Sequence, residues 1–509
     1  MLALAKSAAA QEPTQPDLSA SFATPAGTQV SLWAESPLFY NPTAIDIDPQ
    51  GRVWVTEAVN YRQWDGRNPG LHHDEGDRVM VVEDTDGDGV ADKSTVFAQD
   101  KDLVSPLGIC WLPDKVLVSC SPTVWAYYDD DHDLKADRKE VFLTGFGGPN
   151  HDHGAHSFTV GPDGRLYMAL GNAGPHIVTD KSGWTLRSGS CYVGGGQFDA
   201  PNKPGLVSDD GHVYVGGLIL RCNQDGTGLA VMAHNFRNPY EVAVDAFGDM
   251  WTFDNDDDGN QCCRATWVME GGNYGYFSAD GSRTWEADRR PGQSVQRAHW
   301  HQDDPGVCPT TLITGSGGPT GVCVYEGDAL PEALRGSLLC ADAGRSCVYA
   351  LRRVPDGAGF KLLPLDASAG APLVTGGPEG SEPLTGLLVS KPAREGDETW
   401  HLFRPSDVCV APDGSVIVAD WFDPGVGGHR AQDQKAYGRL LRVAGRGRAG
   451  PLAAARALEL ESPSGLLEGL QRASQSERVE AWSALQDTVS GRQPPLLCWR
   501  LPVFEILSI

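Results

Sequence analysis

The chain has 509 residues, a net charge of −26, and 61 glycines and 35 prolines spread along it. So acidic a protein has no basic face for phosphates, which excludes nucleic acid as a partner and leaves no polybasic membrane signal. No run of about 18 apolar residues occurs, so no helix of this sequence spans a bilayer.

The opening "MLALAKSAAAQEP" has a short apolar stretch and an Ala-rich end but no proper basic region. Residues 1–26 read either as a degenerate export signal or as a disordered terminus. One unit then recurs: an alternating apolar run, a Pro or Gly turn, and a second alternating run. It stands as "AIDIDPQGRVWVTE" from Ala44, "GICWLPDKVLVSCS" from Gly108 and "SFTVGPDGRLYMALG" from Ser157. It returns as "EVAVDAFGDMWTFDN" from Glu241, more weakly as "GVCVYEGDALPEALRGSLLCADAG" from Gly321, and as "DVCVAPDGSVIVADW" from Asp407. Alternation at period 2 on both sides of a tight turn is a β-hairpin. Six such units over roughly 400 residues predict an all-β, six-bladed β-propeller across residues 27–445.

Two acidic loops lie in the outer parts of this repeat, "DTDGDGVADKSTVFA" from Asp84 and "DDDHDLKADRKEVFL" from Asp129, 45 residues apart. That offset is a usual blade period. Both look like D-x-D-x-D-G calcium loops, and each is incomplete. The first has Thr95 where a bidentate Glu belongs; the second has Leu134 in place of the turn glycine. Solvated turns between outer strands are the plainer reading.

The stretch "GGPNHDHGAHSFTV" then crowds His151, His153 and His156 into six residues. They read as a catalytic base with neighbours, as metal ligands, or as hydrogen-bonded loop residues. Further on, "DNDDDGN" packs Asp254, Asp256, Asp257 and Asp258 into five positions. These carboxylates repel one another unless a cation or solvent intervenes, and calcium is the natural guess for Asp256, Asp257 and Asp258. "HWH", His299 to His301, and Trp421 with His429 suit either a channel lining or blade packing.

The twelve cysteines include no C-x-x-C pair and no haem-attachment motif. Several lie inside apolar strands, as small buried hydrophobes do; the even count allows disulfides without showing them. Beyond Gly445 the sequence turns rich in Ala, Leu and Glu at helical spacing. Ser462-Pro463 is an N-cap and first-turn pair. Leu466, Leu467 and Leu470 share a face, as do Val479, Trp482 and Leu485. Residues 446–509 read as the truncated start of a HEAT-like helical repeat, a unit that cannot bury its own face.

The pieces "TVFA", "LTGFGG", "HDHGAHSFTVGPDGRLYMALGNAG", "HNFRNPYEVAVD", "DNDDDGN", "GGNYGY" and "FRPSDVCVAPDGSVIVADW" carry a family resemblance. The chain resembles the N-terminal propeller of the membrane-bound dehydrogenases, haem-binding proteins of planctomycetes and verrucomicrobia. That propeller is similar to the six-bladed soluble quinoprotein glucose/sorbosone dehydrogenases. The resemblance implies a periplasmic or exported sugar or alcohol dehydrogenase that uses pyrroloquinoline quinone (PQQ) and calcium. An electron-accepting cytochrome is an implied partner; the family's c-type haem domain has no counterpart here. It implies His153 as the base, with Asp152 beside it, and Arg237, Asn238 and Arg404 as quinone contacts. Two departures stand out: Ser406 replaces a second arginine, and Gly344, with Arg345 beside it, replaces a lysine.

The chemistry asks for the same residues. Alcohol oxidation by hydride transfer needs a base near neutral pKa, which His supplies, and cations for an anionic acceptor, which Arg237 and Arg404 supply. Two other readings stay open. A non-catalytic propeller would bind carbohydrate or a protein, and a calcium-dependent lactonase would use Glu57, Asn238, Asp254 and Asp420 at strand ends.

Overall fold

Each hairpin motif forms the two inner strands of one antiparallel sheet in the computed structural model. It describes residues 18–61, 68, 70–149, 152–193, 201–257, 259–374, 381–392, 399–423, 425 and 433–488. The innermost strands are Pro42–Ile47, Gly108–Leu112, Ala155–Val160, Pro239–Val244, Pro319–Val324 and Pro405–Val410. Each packs against the next and the last packs against the first, so the sheets stand radially around one axis. The fold is an all-β propeller. Its closure is chemical as well as geometric, because the strand Thr28–Glu35 pairs with Arg439–Gly445 and completes the sheet that begins at Pro405.

Ordered structure starts earlier than residue 27. Phe22–Ala23 pairs with Leu384–Ser390, and the Phe22 ring meets Phe403 edge-on at 5.0 Å. The inner strands also differ from simple alternation. Val53–Glu57, Ala155–Val160, Leu166–Leu170, Met250–Asp254, Leu338–Asp342 and Val416–Asp420 are buried at every position. Neighbouring sheets cover both faces there, so polar side chains on these strands must find partners inside.

They find them in two repeated devices. At the second position of the inner strands a side chain donates to the carbonyl at the head of the next inner strand. Thr43 reaches Pro106 O at 2.7 Å, His156 reaches Pro239 O at 2.8 Å, Thr320 reaches Pro405 O at 2.9 Å, and Ser406 reaches Pro42 O at 2.6 Å. The second device sets an acid opposite the leading proline: Glu57 faces Pro42, Asp254 faces Pro239, Asp342 faces Pro319 and Asp420 faces Pro405. Three of these acids hold an arginine from the third strand. Arg78 meets Glu57 at 2.6 Å, Arg264 meets Asp254 at 3.0 Å, and Arg439 meets Asp420 at 2.6 Å. Across from Asp342 stands Cys347 instead.

The two acidic loops sit on exposed outer turns. In each, three carboxylates converge: Asp84, Asp86 and Asp88, and Asp129, Asp131 and Asp137. All the described cysteines are free thiols. No described helix is long and apolar enough to cross a membrane.

The helices Pro463–Gly469 and Gln475–Thr488 follow the ring. Ser462 caps the first, accepting from Gly465 N–H. Their apolar faces turn onto the propeller: Leu470, Val479, Ala481 and Trp482 join the core below the sheet that begins at Ala155. Trp482 lies over Gly164 (φ +72°), where a Cβ would fall 1.9 Å from the indole nitrogen, so only glycine fits. The buried pair Arg478–Glu326, at 2.7 Å, and Thr159 donating to Gln475 at 2.9 Å tie the second helix to the axis. Ala473, Gln475 and Arg478 thereby line one side of a small axial cavity of about 60 Å³ that Asp46, Thr159 and Glu241 also line. Within the described residues, the segment expected to open a helical array is a cap on the ring.

Candidate functional site

His153, Arg237 and Arg404 stand just before Ala155, Pro239 and Pro405, the first residues of three inner strands. The propeller therefore gathers them at one end of the axis, opposite the helical cap. His153 is 7% exposed, and its Nδ1 lies 2.7 Å from Asn172 Oδ1. An amide oxygen only accepts, so Nδ1 is the donor in this contact. The ring stacks on Tyr192 at 5.7 Å. Gly171 makes this meeting possible, since a Cβ there would lie 2.3 Å from Asn238 Oδ1 and 2.4 Å from the His153 carbonyl.

Around this ring Asn172 N–H donates to Arg237 O at 2.9 Å, and Asn238 Nδ2 donates to Asp152 O at 3.2 Å. Asn172 Nδ2 and Asn238 Oδ1 are buried and have no partner among the described residues. Asp152 accepts from Asn238 through its backbone carbonyl, and the group in contact with His153 Nδ1 is Asn172.

The other histidines have different surroundings. His151 lies outside the described residues. His156 is fully buried between Pro239 O and Asp152 O, at 2.8 and 2.9 Å, and stacks on Tyr240. It staples two sheets. His176, unmarked in the sequence reading, accepts from Gly147 N–H and donates to Gly171 O; burial pushes its pKa down to about 4. Among the described residues the histidines do not converge on a metal position.

The cations are already engaged. Arg237 donates from Nε to Asp257 at 2.9 Å and from Nη1 to Asn255 at 2.7 Å. Arg404 donates from Nη1 to Ala343 O at 3.0 Å and to Ser346 Oγ at 2.8 Å. Arg345 turns to Ser316 O and Thr314 O. A side chain at Gly344 would meet Gly317 C at 2.6 Å, so no lysine fits that backbone. Ser406 belongs to the ring of staples and stands away from any anion site.

Asp256 and Asp257, expected to hold calcium, each have donors from the protein. Asp256 accepts from Cys262 N–H at 2.7 Å. Asp257 accepts from Arg237, from Tyr276 Oη at 2.9 Å and from Trp285 Nε1 at 2.8 Å. Burial works to raise Asp257, yet Arg237 and Trp285 outweigh it and hold the carboxylate below its usual range. With a guanidinium and two neutral donors at hand, these acids need no cation to relieve repulsion. Asp258 lies outside the described residues. Nor do Glu57, Asp254 and Asp420 form an open ligand set: each is locked by its arginine.

Tyr240 floors the site, its hydroxyl reaching Thr43 O at 3.0 Å on another inner strand. Below it Glu241 accepts from Val322 N–H and Asp407 from Ile45 N–H. Burial raises both acids, Asp407 to about 6, and the charge of Asp407 raises Glu241 further.

A family model described as "Domain of unknown function (DUF7133)" matches residues 15–368, more than half of the chain. The chain belongs to this family. No curated protein matches the DUF7133 chain. Among solved structures it is similar to an iodide structure of a Trichoderma reesei Carbohydrate-Active Enzymes Family AA12 protein. The two share 13% identity over 86% of this chain and 100% of that chain, with a TM-score of 0.51. The calcium structure from the same organism gives 12%, 86%, 98% and 0.50. A PQQ-bound aldose sugar dehydrogenase from Streptomyces coelicolor gives 16%, 83%, 99% and 0.49. At these identities the two fungal structures establish a shared fold.

Proposed function

We propose that this DUF7133 chain is a six-bladed, exported quinoprotein-like dehydrogenase propeller that oxidises a sugar or related alcohol. The observation that carries the reading is His153 oriented by Asn172 at the end of the ring that also holds Arg237, Asn238 and Arg404. Likeness in fold to a carbohydrate-active enzyme supports the substrate class.

The residues present fit PQQ in part of its outline. Buried, unpartnered Asn172 Nδ2 and Asn238 Oδ1 beside the Gly171 cradle suit the polar edge of a flat ligand. Arg237 and Arg404 would take its carboxylates. Bound there, the quinone supplies a two-electron acceptor for hydride from the carbinol carbon. His153 Nε2 takes the hydroxyl proton, Asn172 keeps the ring oriented, and Tyr240 closes the floor against water from the axial cavity. With Ser406 and Gly344 in place of two cations, binding is expected to be weaker than in the enzymes the sequence resembles.

The test is direct. Purified protein is titrated with PQQ and calcium, then given an aldose and an artificial dye. Dye reduction dependent on PQQ and abolished by His153→Ala supports the reading. Acid release from a lactone without any acceptor would point to hydrolysis. Carbohydrate binding with neither activity would leave a binding propeller.

A further inference from the structure

His299 is fully buried, and neither ring nitrogen has a partner among the described residues. A buried histidine with nowhere to place its N–H is costly, so its surroundings matter. The rings of Trp300, Trp285 and Tyr276 enclose it at 4.4, 5.2 and 5.5 Å. None of these rings offers a strong acceptor. The nearest acid is Asp257, whose Oδ2 lies 4.0 Å from His299 Nδ1.

Asp257 is the residue that holds Arg237. Its Oδ1 takes Arg237 Nε and Tyr276 Oη, and its Oδ2 takes Trp285 Nε1. Oδ2 keeps accepting capacity on the side of His299. We propose that His299 is a positioning residue that donates to Asp257 when Arg237 releases it to meet an anionic ligand. The approach is about 1 Å, within a side-chain adjustment of normal hydrogen-bond length. The carboxylate then exchanges one donor for another, and the guanidinium is released without leaving Asp257 short of a partner. The identity of the ligand rests on the dehydrogenase reading; the handover between Arg237 and His299 does not.

A double-mutant cycle tests the handover without any ligand. Thermal melts are recorded for the full chain and for Arg237→Gln, His299→Phe and the double variant. Phe keeps the aromatic packing and removes both nitrogens. In the wild type His299 takes over Asp257 when Arg237 is lost. The double variant should therefore lose more Tm than the two single losses added. His299→Gln, which restores a donor, should recover the additive value. Additive losses would overturn the proposal and leave His299 as packing alone. Should Arg237→Gln fail to fold, Arg237→Ala and Arg237→Lys take its place in the same cycle. A second arm measures PQQ binding, which His299→Phe should weaken by about tenfold while His299→Gln restores it. If PQQ binds neither variant nor wild type, the cofactor reading fails while the melts still decide the role of His299.

Discussion

A histidine that gives its Nδ1 proton to an amide oxygen keeps the correct tautomer, but it gains no negative charge to stabilise the imidazolium formed when Nε2 accepts a proton. On the proposed reading, Asn172 orients His153 without adding a negative charge beside it. In the dye assay His153→Ala should lower kcat by about 10²–10⁴-fold, the usual span of a general-base contribution. Asn172→Asp should raise kcat, because a carboxylate 2.7 Å from Nδ1 would stabilise the imidazolium. Unchanged kcat in both variants would remove His153 from the chemistry. His153 and the arginines stand out in the sequence as residue types at strand entrances. Asn172 does not, although it lies in the same quoted stretch, because the bond that gives it a role depends on where Gly171 lets the two strands meet. The reading of Asp152 rested on adjacency along the chain, whereas the partner at His153 Nδ1 is Asn172. Asp257 shows a third limit. A run of acids suggests a cation, yet the donors that satisfy it come from Tyr276 and Trp285, residues no local pattern connects to it.

The strand elements explain why so many polar residues near the axis are structural. Period-2 alternation located all six hairpins, but it could not show that both faces of the inner strands would be covered by neighbouring sheets. Once they are, Thr43, His156, Thr320 and Ser406 must donate inside, and the leading-proline carbonyls receive them. Ser406→Ala should cost about 1 kcal/mol, the typical net value of one buried hydrogen bond. The acid–arginine pairs carry higher stakes. Arg264 and Asp254 are both fully buried, and Arg264→Met would strand a carboxylate in the core. That loss should be about 3–5 kcal/mol in urea unfolding. Arg439→Met should cost less, since Arg439 keeps some solvent contact. Equal effects at the two sites would show that burial of the pair is not what sets the cost. The same logic explains the failed lactonase ligand set, whose carboxylates the arginines already occupy.

At the scale of the whole molecule, the helical spacing beyond Gly445 was legible and its destination was not. An amphipathic face needs a partner, and the turn end of the ring supplies one that no repeat unit in the described residues does. Cap and floor together enclose the axis around Asp46, and burial there and within the sheets sets the pH response. Burial raises Asp46 to about 7, Asp77 to about 7, and Asp342 and Asp407 to about 6. An unfolded Asp titrates near 3.9, so between about pH 4 and 7 the folded state binds more protons than the unfolded chain. These acids therefore contribute stability that is complete below about pH 4 and is lost as pH rises through 6 and 7. Carboxylates held low, such as Asp280 at about 2, are ionised in both states above pH 5 and add nothing to that slope. Buried His176 and His234, held near 4, and His299, near 3, oppose this slope below about pH 6.5, so the fall in Tm is expected from about pH 6.5 to pH 8. Asp46 alone, raised by about 3 units, contributes about 4 kcal/mol across pH 4 to 7. Asp46→Asn can still accept from Trp111 N–H, the 2.8 Å bond that ties the first inner strand to the second, but it has no proton to lose. The variant should match the wild type in acid, exceed it at pH 8, and show a shallower dependence between. A wild-type Tm that is flat or rises over this range would mean that water reaches the axis and that the buried acids titrate normally.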